Sequence, residues 1–186
     1  EVISDRNKLF VQTATSFRTR FNIDVRISTE VIGIDTLNKT VTAKNMLTGE
    51  TYTEKFDKLV LSPGAEPIRP PLPGINLPGI FTLRNVTDTD FIKQYVDQHK
   101  KGRAVVIGAG FIGLEMAENL HDLGMKVSII EMGNQVLAPV DFPIAAITQQ
   151  HIRSKGVDLR LNSAVTGFEK ENDTLKVLLK DGTILD

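Results

Sequence analysis

The chain has 186 residues and a formal net charge of −1, and its 41% hydrophobic and 24% charged residues are typical of a globular domain. No apolar run reaches the roughly 18 residues of a membrane-spanning helix, and no basic stripe points to nucleic acid. The absence of cysteine excludes disulfides, thiolate metal sites and cysteine nucleophiles within this sequence. The histidines at positions 99, 121 and 151 lack metal-ligand spacing, so no metal site is expected.

The first third of the chain predicts one helix followed by a small antiparallel meander. Residues 13–21 form the predicted helix. The segment after it alternates between apolar and polar residues with a period of two, and the turns TLNK and LTGE supply the Asn and Gly that hairpins favour. The strand candidates are residues 24–26, 30–35, 40–45 and 51–56. Residues 58–62 (KLVLS) form a continuous apolar run, which predicts a strand buried on both faces.

A proline-rich segment follows this meander. Six of the eight prolines lie between Pro63 and Pro78. Proline lacks an amide donor and disfavours both helices and central strands, so the segment predicts a stiff crossing between two modules. We place the domain boundary near residue 83, which divides the chain into residues 1–83 and 84–186.

The second module predicts an α/β fold with a parallel sheet and a small antiparallel meander. Thr87 and Asp90 resemble a capping box at the start of a helix. The apolar stripe of that helix consists of Phe91, Ile92, Tyr95 and Val96. Further helices are predicted at residues 110–123 and 142–155. Strands are predicted at residues 104–107, 126–131, 158–161, 164–169 and 175–179, and a last strand near the end of the sequence.

Three glycines mark the start of the second predicted helix. Gly108, Gly110 and Gly113 form the pattern Gly-x-Gly-x-x-Gly directly after an apolar strand, the context that a dinucleotide fingerprint requires. The first glycine allows a tight turn, the second lets a pyrophosphate approach the backbone, and the third lets helix and strand pack closely. Free amides and the positive end of the helix dipole would face the phosphates. The predicted contacts of this turn also include Ala109, Phe111 and Ile112.

Two carboxylates complete the predicted dinucleotide site. Glu131 ends the next strand, 23 residues after Gly108, where a carboxylate accepts hydrogen bonds from the adenosine ribose. It would repel a 2′-phosphate, which favours NAD(H) over NADP(H). Its neighbour Met132 belongs to the same predicted site. Glu115 has two interpretations: it complements the dipole in the first turn of the helix, or it lies beside the nicotinamide end of the cofactor.

Several segments together resemble the flavin-dependent pyridine nucleotide–disulfide oxidoreductases, along essentially the whole chain. They are EVISDRNKLFVQT, KLVLSPGAEP, TLRNVTDTDFI and VVIGAGFIGLEMAENL. The branch with coenzyme A disulfide reductase, NADH oxidase and NADH peroxidase is especially similar. The resemblance implies an internal segment of a longer chain: part of a three-layer FAD-binding domain over residues 1–83, and a C-terminally truncated NAD(H)-binding domain over residues 84–186. It also implies a redox cysteine upstream, so no catalytic residue is expected in this chain.

The resemblance implies contacts with FAD in the first module. Ser62, Pro63 and Gly64 occupy a short motif that ends the last strand of the FAD domain and passes close to the flavin cofactor. Glu30 and Val31 match a strand segment whose backbone meets the FAD adenine.

Further roles are implied by the resemblance. Glu115 matches a family glutamate near the nicotinamide–flavin contact. Arg18 and Arg20 lie where coenzyme A enzymes place basic groups near the coenzyme A phosphates, which suits the guanidinium fork. A solvated helix face is the alternative for both arginines.

The implied activity is a relay in which NADH gives a hydride to FAD, which then reduces a cysteine-based disulfide such as coenzyme A disulfide, or dioxygen or peroxide. The resemblance implies a cytoplasmic homodimer, and the isolated chain is expected to be inactive and to hold no FAD. Two alternatives stay open. One is a non-catalytic NAD-binding module, and the other is a cysteine-free reductase of the ferredoxin or rubredoxin reductase type.

Overall fold

The structure is a computed structural model that describes residues 6–99 and 101–186. The chain divides into two compact units, Glu1–Ala65 and Glu66–Asp186. The first five residues of the segment EVISDRNKLFVQT lie outside the described residues. Within the described ranges, no helix combines the length and the apolar character that crossing a bilayer requires.

The first unit begins with a short 3-10 helix, Arg6–Leu9, and the helix α1, Ala14–Phe21. A capping box starts α1: the hydroxyl of Thr13 accepts the Ser16 amide at 3.1 Å, and the Ser16 hydroxyl accepts the Thr13 amide at 2.9 Å. The helix ends at Asn22, whose left-handed φ of 54° is a common helix terminator. The predicted helix over residues 13–21 is therefore confirmed.

An antiparallel sheet forms the rest of the first unit. Its strands lie in the order β1 (Thr29–Asp35), β2 (Thr40–Asn45) and β3 (Thr51–Lys55). The first hairpin is set by the Asp35 carboxylate, whose Oδ1 accepts the amides of Leu37 and Asn38, both at 2.9 Å. The predicted meander is confirmed. Its core is small, because Ala43 is the one buried residue among those of this unit whose side chains the structure describes.

Two predicted strands of the first unit do not form. Residues 24–26 lie outside any strand, and Asp24 and Arg26 instead join an exposed ion-pair network. Residues 58–62 also pair with no strand of the described chain, and Val60 and Leu61 are 84% and 68% exposed. The prediction of a strand buried on both faces is wrong for this chain, because an apolar run becomes a central strand only where neighbouring strands pair with its backbone.

A three-stranded parallel sheet is the centre of the second unit. Its strands lie in the order β4 (Arg103–Ile107), β5 (Lys126–Ile130) and β6 (Asp158–Arg160). The strands are connected by the helices α3 (Phe111–Asp122) and α4 (Phe142–Ser154). Both helices contribute to one apolar core, whose most buried members are Ala109, Ala117, Ile129, Val136 and Ala145. The predicted α/β fold with a parallel sheet is confirmed.

The helix α2, Val86–Gln98, precedes this sheet and begins earlier than the sequence predicts. The side chain of Asn85 accepts the Asp88 amide at 3.0 Å, and the Asp88 carboxylate accepts the Asn85 amide at 3.1 Å. The capping box predicted at Thr87 and Asp90 is therefore wrong by two residues. Asn is among the strongest N-caps, and the acid three residues later reciprocates its bond, so Thr87 already lies inside the helix.

The second unit also contains an antiparallel sheet on which the proline-rich segment packs. The strands are β7 (Val165–Glu171), β8 (Thr174–Leu179) and β9 (Ile184–Leu185). The Phe168 amide donates to the Pro73 carbonyl at 2.8 Å, and a Cβ on Gly74 would overlap the Phe168 carbonyl. Four apolar side chains of the segment join the core under this sheet: Leu72, Ile75, Leu77 and Ile80. This packing explains why the units divide after Ala65 and not near residue 83, since the crossing belongs to the second unit.

Candidate functional site

The turn between β4 and α3 has the geometry that its glycines predict. Gly108 has a φ of +99°, in the region that favours glycine, and its amide donates to the Ile130 carbonyl of β5 at 2.8 Å. At Gly113, a Cβ would overlap the Gly108 carbonyl oxygen and would lie 3.5 Å from Cγ1 of Val106. Gly113 is therefore required for the close packing of α3 on β4, as the fingerprint implies.

Gly110 differs from these two glycines because the fold does not require it. Its φ of −77° is accessible to any residue, and a Cβ there would meet no atom within 4 Å. The position faces open space beside the start of α3. A side chain would occupy that space, whereas a glycine leaves room for a pyrophosphate against the backbone. The turn therefore fits the cofactor that the motif predicts.

The first turn of α3 presents its backbone amides without a capping side chain. Gly110 is the N-cap and has no side chain to bond the first amides, and the first hydrogen bond of the helix runs from the Leu114 amide to the Gly110 carbonyl at 3.0 Å. The amides of Phe111 and Ile112 precede that bond, and the side chains of both residues are about 60% exposed (62% and 61%). Such amides, together with the positive end of the helix dipole, favour a bound anion.

Glu131 lies directly beside the glycine turn. Its Oε2 accepts the Ala109 amide at 2.8 Å, and its Oε1 accepts the Gly133 amide at 2.7 Å. Each carboxylate oxygen has a second lone pair that is able to accept a hydroxyl. The carboxylate is thus held where the spacing of the motif predicts a ribose-binding acid, and it also fixes the turn. The Ala109 amide is already paired, so the amides available to an anion are those that follow it.

The loop between β5 and α4 contributes residues that the sequence does not reveal. The Leu137 amide donates to the Ala109 carbonyl at 2.9 Å, and the Ala109 amide donates to Glu131, the first residue of the loop. Both backbone groups of Ala109 are therefore bonded to this loop. Leu137 has a φ of 51°, a left-handed conformation that is rare for an apolar side chain. Met132, in the same loop, is 77% exposed. No local pattern predicts a left-handed leucine, so only the structure identifies this contact.

Glu115 is the fifth residue of α3 and is exposed to solvent. The expectation that it lies in the first turn is wrong, because the helix begins at Phe111 and its first turn contains no acidic residue. The interaction with the helix dipole falls off beyond the first turn, so that interpretation loses its basis. A position beside the nicotinamide stays a prediction.

The residues predicted to contact FAD all lie in the first unit. Val31 is 55% exposed and sits at a bulge of β1 that ends at Gly33, while Glu30 pairs with Lys44 across the sheet. Three further residues, which lie in an exposed segment outside any described helix or strand, are Ser62, Pro63 and Gly64. Their roles toward FAD stay predictions.

The two arginines predicted near coenzyme A phosphates have different surroundings. Nη2 of Arg18 donates to Oδ1 of Asp24 at 2.9 Å, and Arg26 bonds the other oxygen of Asp24. Hydrogen bonds from Arg26 and Arg18 lower the pKa of Asp24, so this carboxylate is ionised at neutral pH. The guanidinium of Arg20 lies 5.4 Å from the centre of the Phe21 ring. A phosphate would therefore compete with Asp24 for Arg18 but not for Arg20.

Two cavities of the second unit lie away from the glycine turn. One of about 360 Å³ is lined by residues that include Arg69, Phe81 and Tyr95. The other, of about 510 Å³, is lined by residues that include Arg103 and Lys126. Neither cavity is lined by residues of the turn.

Known proteins are similar to this chain in sequence and in fold. Coenzyme A disulfide reductase of Staphylococcus haemolyticus is 34% identical over 180 residues, which cover 94% of this chain and 39% of that protein. The structure of reduced CoADR-RHD of Bacillus anthracis is 46% identical with a TM-score of 0.91, covering 99% of this chain and 33% of that one. The water-forming NADH oxidase of Lactobacillus brevis bound to NADH is 27% identical with a TM-score of 0.88, covering 99% and 40%.

The chain thus spans about two fifths or less of the length of these relatives (39%, 33% and 40%). A family model described as pyridine nucleotide-disulphide oxidoreductase matches residues 2–186. The match includes the glycine turn, Glu131 and the whole of both compact units apart from the first residue. The chain belongs to the pyridine nucleotide-disulphide oxidoreductase family.

Proposed function

We propose that this chain is the NAD(H)-binding part of a flavin-dependent NADH:disulfide oxidoreductase, with the first unit, Glu1–Ala65, contributing part of an FAD site. When bound, NADH supplies a hydride, and FAD accepts it and passes the electrons to a disulfide. The arrangement that carries the proposal is the turn with open space at Gly110 beside the carboxylate of Glu131. The relative with NADH bound and the relative named coenzyme A disulfide reductase support it.

The chain's own residues bind and orient the dinucleotide. The amides of Gly110, Phe111 and Ile112 hold the pyrophosphate, and the unused lone pairs of Glu131 accept the ribose hydroxyls. A 2′-phosphate at the same ribose would meet the negative charge of Glu131. At about 4 Å, two such charges repel by about 1 kcal/mol in water and about 4 kcal/mol near a protein surface. We therefore assign NADH, and not NADPH, to this site.

Calorimetric titration of the 186-residue chain with NADH and NADPH tests this assignment. We expect Glu131→Ala to weaken NADH binding at least about tenfold, because two charged hydrogen bonds to the ribose are lost. The variant also removes the repulsion between Glu131 and a 2′-phosphate. The ratio of the NADH affinity to the NADPH affinity should therefore fall, even if loss of the bond to the Ala109 amide loosens the turn. Glu118→Ala, which removes an exposed carboxylate from α3, is the matched control and should leave both affinities unchanged. An unchanged ratio in Glu131→Ala would refute the ribose assignment.

The electron acceptor of the proposed enzyme is a disulfide, with coenzyme A disulfide as the first candidate. The relative named coenzyme A disulfide reductase supports a disulfide, whereas the water-forming NADH oxidase supports dioxygen as the second candidate. This sequence contains no cysteine to relay electrons and a single Gly-x-Gly-x-x-Gly pattern, which we assign to NADH. The purified 186-residue chain is therefore expected to be colourless. Stoichiometric bound flavin in its absorbance spectrum would contradict the expectation that this chain alone does not hold FAD.

A further inference from the structure

Gln149 is a buried polar residue that the proposed site does not include. It lies on α4 with only 7% of its surface exposed, the one buried polar residue among those whose side chains the structure describes. Its Oε1 accepts the amide of Val136 at 3.2 Å, and Val136 is itself 0% exposed. The bond satisfies a backbone amide that water does not reach, and a buried amide without an acceptor is costly. Gln149 therefore anchors the loop between β5 and α4 through the backbone amide of Val136.

The residue next to this anchor is the one that bonds the glycine turn. Leu137 follows Val136 and donates its amide to the Ala109 carbonyl at 2.9 Å. Its φ of 51° is strained for a leucine, and such conformations persist where the surrounding contacts hold them. Two of those contacts hold its N-terminal side: the amide of the preceding residue, Val136, donates to Gln149, and the amide of Leu137 itself donates to Ala109. We expect loss of the bond to Gln149 to loosen Leu137 and its bond to Ala109, while the Val140 amide still donates to the Leu137 carbonyl at 2.8 Å.

We propose that Gln149 is a positioning residue for the dinucleotide site. It holds Val136 and Leu137 in the conformation that keeps Ala109 in place, and so sets the position of the amides after Ala109 that bind the pyrophosphate. This inference rests on the proposed function, because the turn that Gln149 helps to position is the proposed NADH site. It extends that site to a residue of α4 that no fingerprint pattern contains.

The test combines amide hydrogen exchange with ligand binding in the 186-residue chain. Gln149→Met keeps the length of the side chain but removes the oxygen acceptor. We expect faster exchange at Val136 and Leu137 than in the wild type, unchanged exchange at Leu159 in the core, and a Kd for ADP-ribose raised about fivefold, the effect of one lost hydrogen bond. Gln150→Met, a substitution at the exposed neighbour, is the matched control and should change none of these quantities.

A second variant separates positioning from general stability. Gln149→Glu retains an oxygen acceptor at the same reach, and we expect it to restore the protection of Val136 and most of the affinity for ADP-ribose. Uniformly faster exchange throughout the second unit in Gln149→Met, or failure of a folded Gln149→Glu to restore protection, would overturn the positioning role. Wild-type affinity in Gln149→Met would overturn this inference alone. Absence of ADP-ribose binding to the wild-type chain would overturn the proposed function and this inference with it.

Discussion

At the scale of single residues, Gly110 and Gly113 serve different purposes although they belong to one motif. Gly113 has no room for a Cβ against the Gly108 carbonyl, whereas Gly110 has open space. We predict that Gly113→Ala lowers the free energy of unfolding by about 3 kcal/mol, because α3 must move away from β4. Gly110→Ala should change stability by less than about 1 kcal/mol, the difference between Gly and Ala as N-caps, and still weaken NADH binding at least about tenfold.

Urea unfolding and calorimetric titration of both variants measure these effects, and each variant is the control for the other. Equal losses of stability in Gly110→Ala and Gly113→Ala would contradict the separate roles. Full NADH affinity in Gly110→Ala would show that the pyrophosphate does not approach this backbone.

The carboxylate of Asp35 gives a residue-scale prediction about pH. The backbone amide and the side chain of Asn38, followed by the amide of Leu37, donate to it and lower its pKa below the ordinary value of 3.8. Because the pKa is lower in the folded state, the carboxylate stabilises the hairpin above about pH 4, and this contribution is lost as the pH falls through the lowered pKa.

A carbon-detected NMR titration of the Asp35 carboxyl measures this pKa. In Asn38→Ala we expect a rise toward the ordinary value but not to it, because both backbone amides still donate to Asp35. Asp57→Asn, which removes one carboxylate from the same unit, controls for the change in charge. A wild-type pKa for Asp35 at or above 3.8 would be inconsistent with the hydrogen bonds of this turn.

At the scale of elements, the N-terminus of α2 provides a direct test. Asn85→Ala removes the side chain that accepts the Asp88 amide, and we expect it to lower the free energy of unfolding of the second unit by about 1 kcal/mol. Thr87→Ala is the matched control, because Thr87 lies inside the helix and makes no cap, and it should have little effect. Chemical denaturation followed by circular dichroism distinguishes the two. A larger loss of the free energy of unfolding in Thr87→Ala than in Asn85→Ala would support Thr87 as the N-cap, as the sequence alone predicts.

Elements with strong local signals could be predicted from the sequence, and elements that depend on distant partners could not. The helix α1, which Thr13 caps, and the three-stranded meander have their own caps, turns and period-two patterns. Residues 58–62 have the composition of a buried strand, but that state requires neighbouring strands that the described chain does not provide. The proline-rich segment likewise joins the second unit through the bond from Phe168 to Pro73, a contact far apart in sequence.

Part of the candidate site could likewise be predicted from the sequence, and part of it could not. The spacing of the three glycines and of Glu131 is enough to predict the turn and its acid, because strand, turn and helix follow each other directly in the chain. The structure adds that Glu131 bonds the Ala109 amide, across 22 residues of sequence. It also adds Leu137 and Gln149, whose importance comes from a left-handed backbone and a buried amide. Neither feature has a composition or a periodicity of its own.

At the scale of the whole molecule, the two units differ in the size of their cores. Among the described residues, the first unit buries Ala43, whereas the second buries the apolar cluster that includes Ile129 and Val136. We predict that amides of β2 exchange faster than those of β5 in native-state hydrogen exchange, because opening the first unit exposes little apolar surface. Ala43→Gly should accelerate exchange in β2 and leave β5 unchanged. Equal protection of β2 and β5 would contradict the prediction that the first unit opens more easily than the second.

The binding of NADH at the turn from Gly108 to Gly113 is the central claim, and an NMR titration of backbone amides with NADH tests it most directly. We predict the largest chemical-shift changes at Gly110, Phe111 and Ile112, whose amides would receive the pyrophosphate, and smaller changes at Ala109, whose amide stays on Glu131. Changes confined to the cavity lined by Phe81 and Tyr95, or no saturable change at the turn, would contradict the claim.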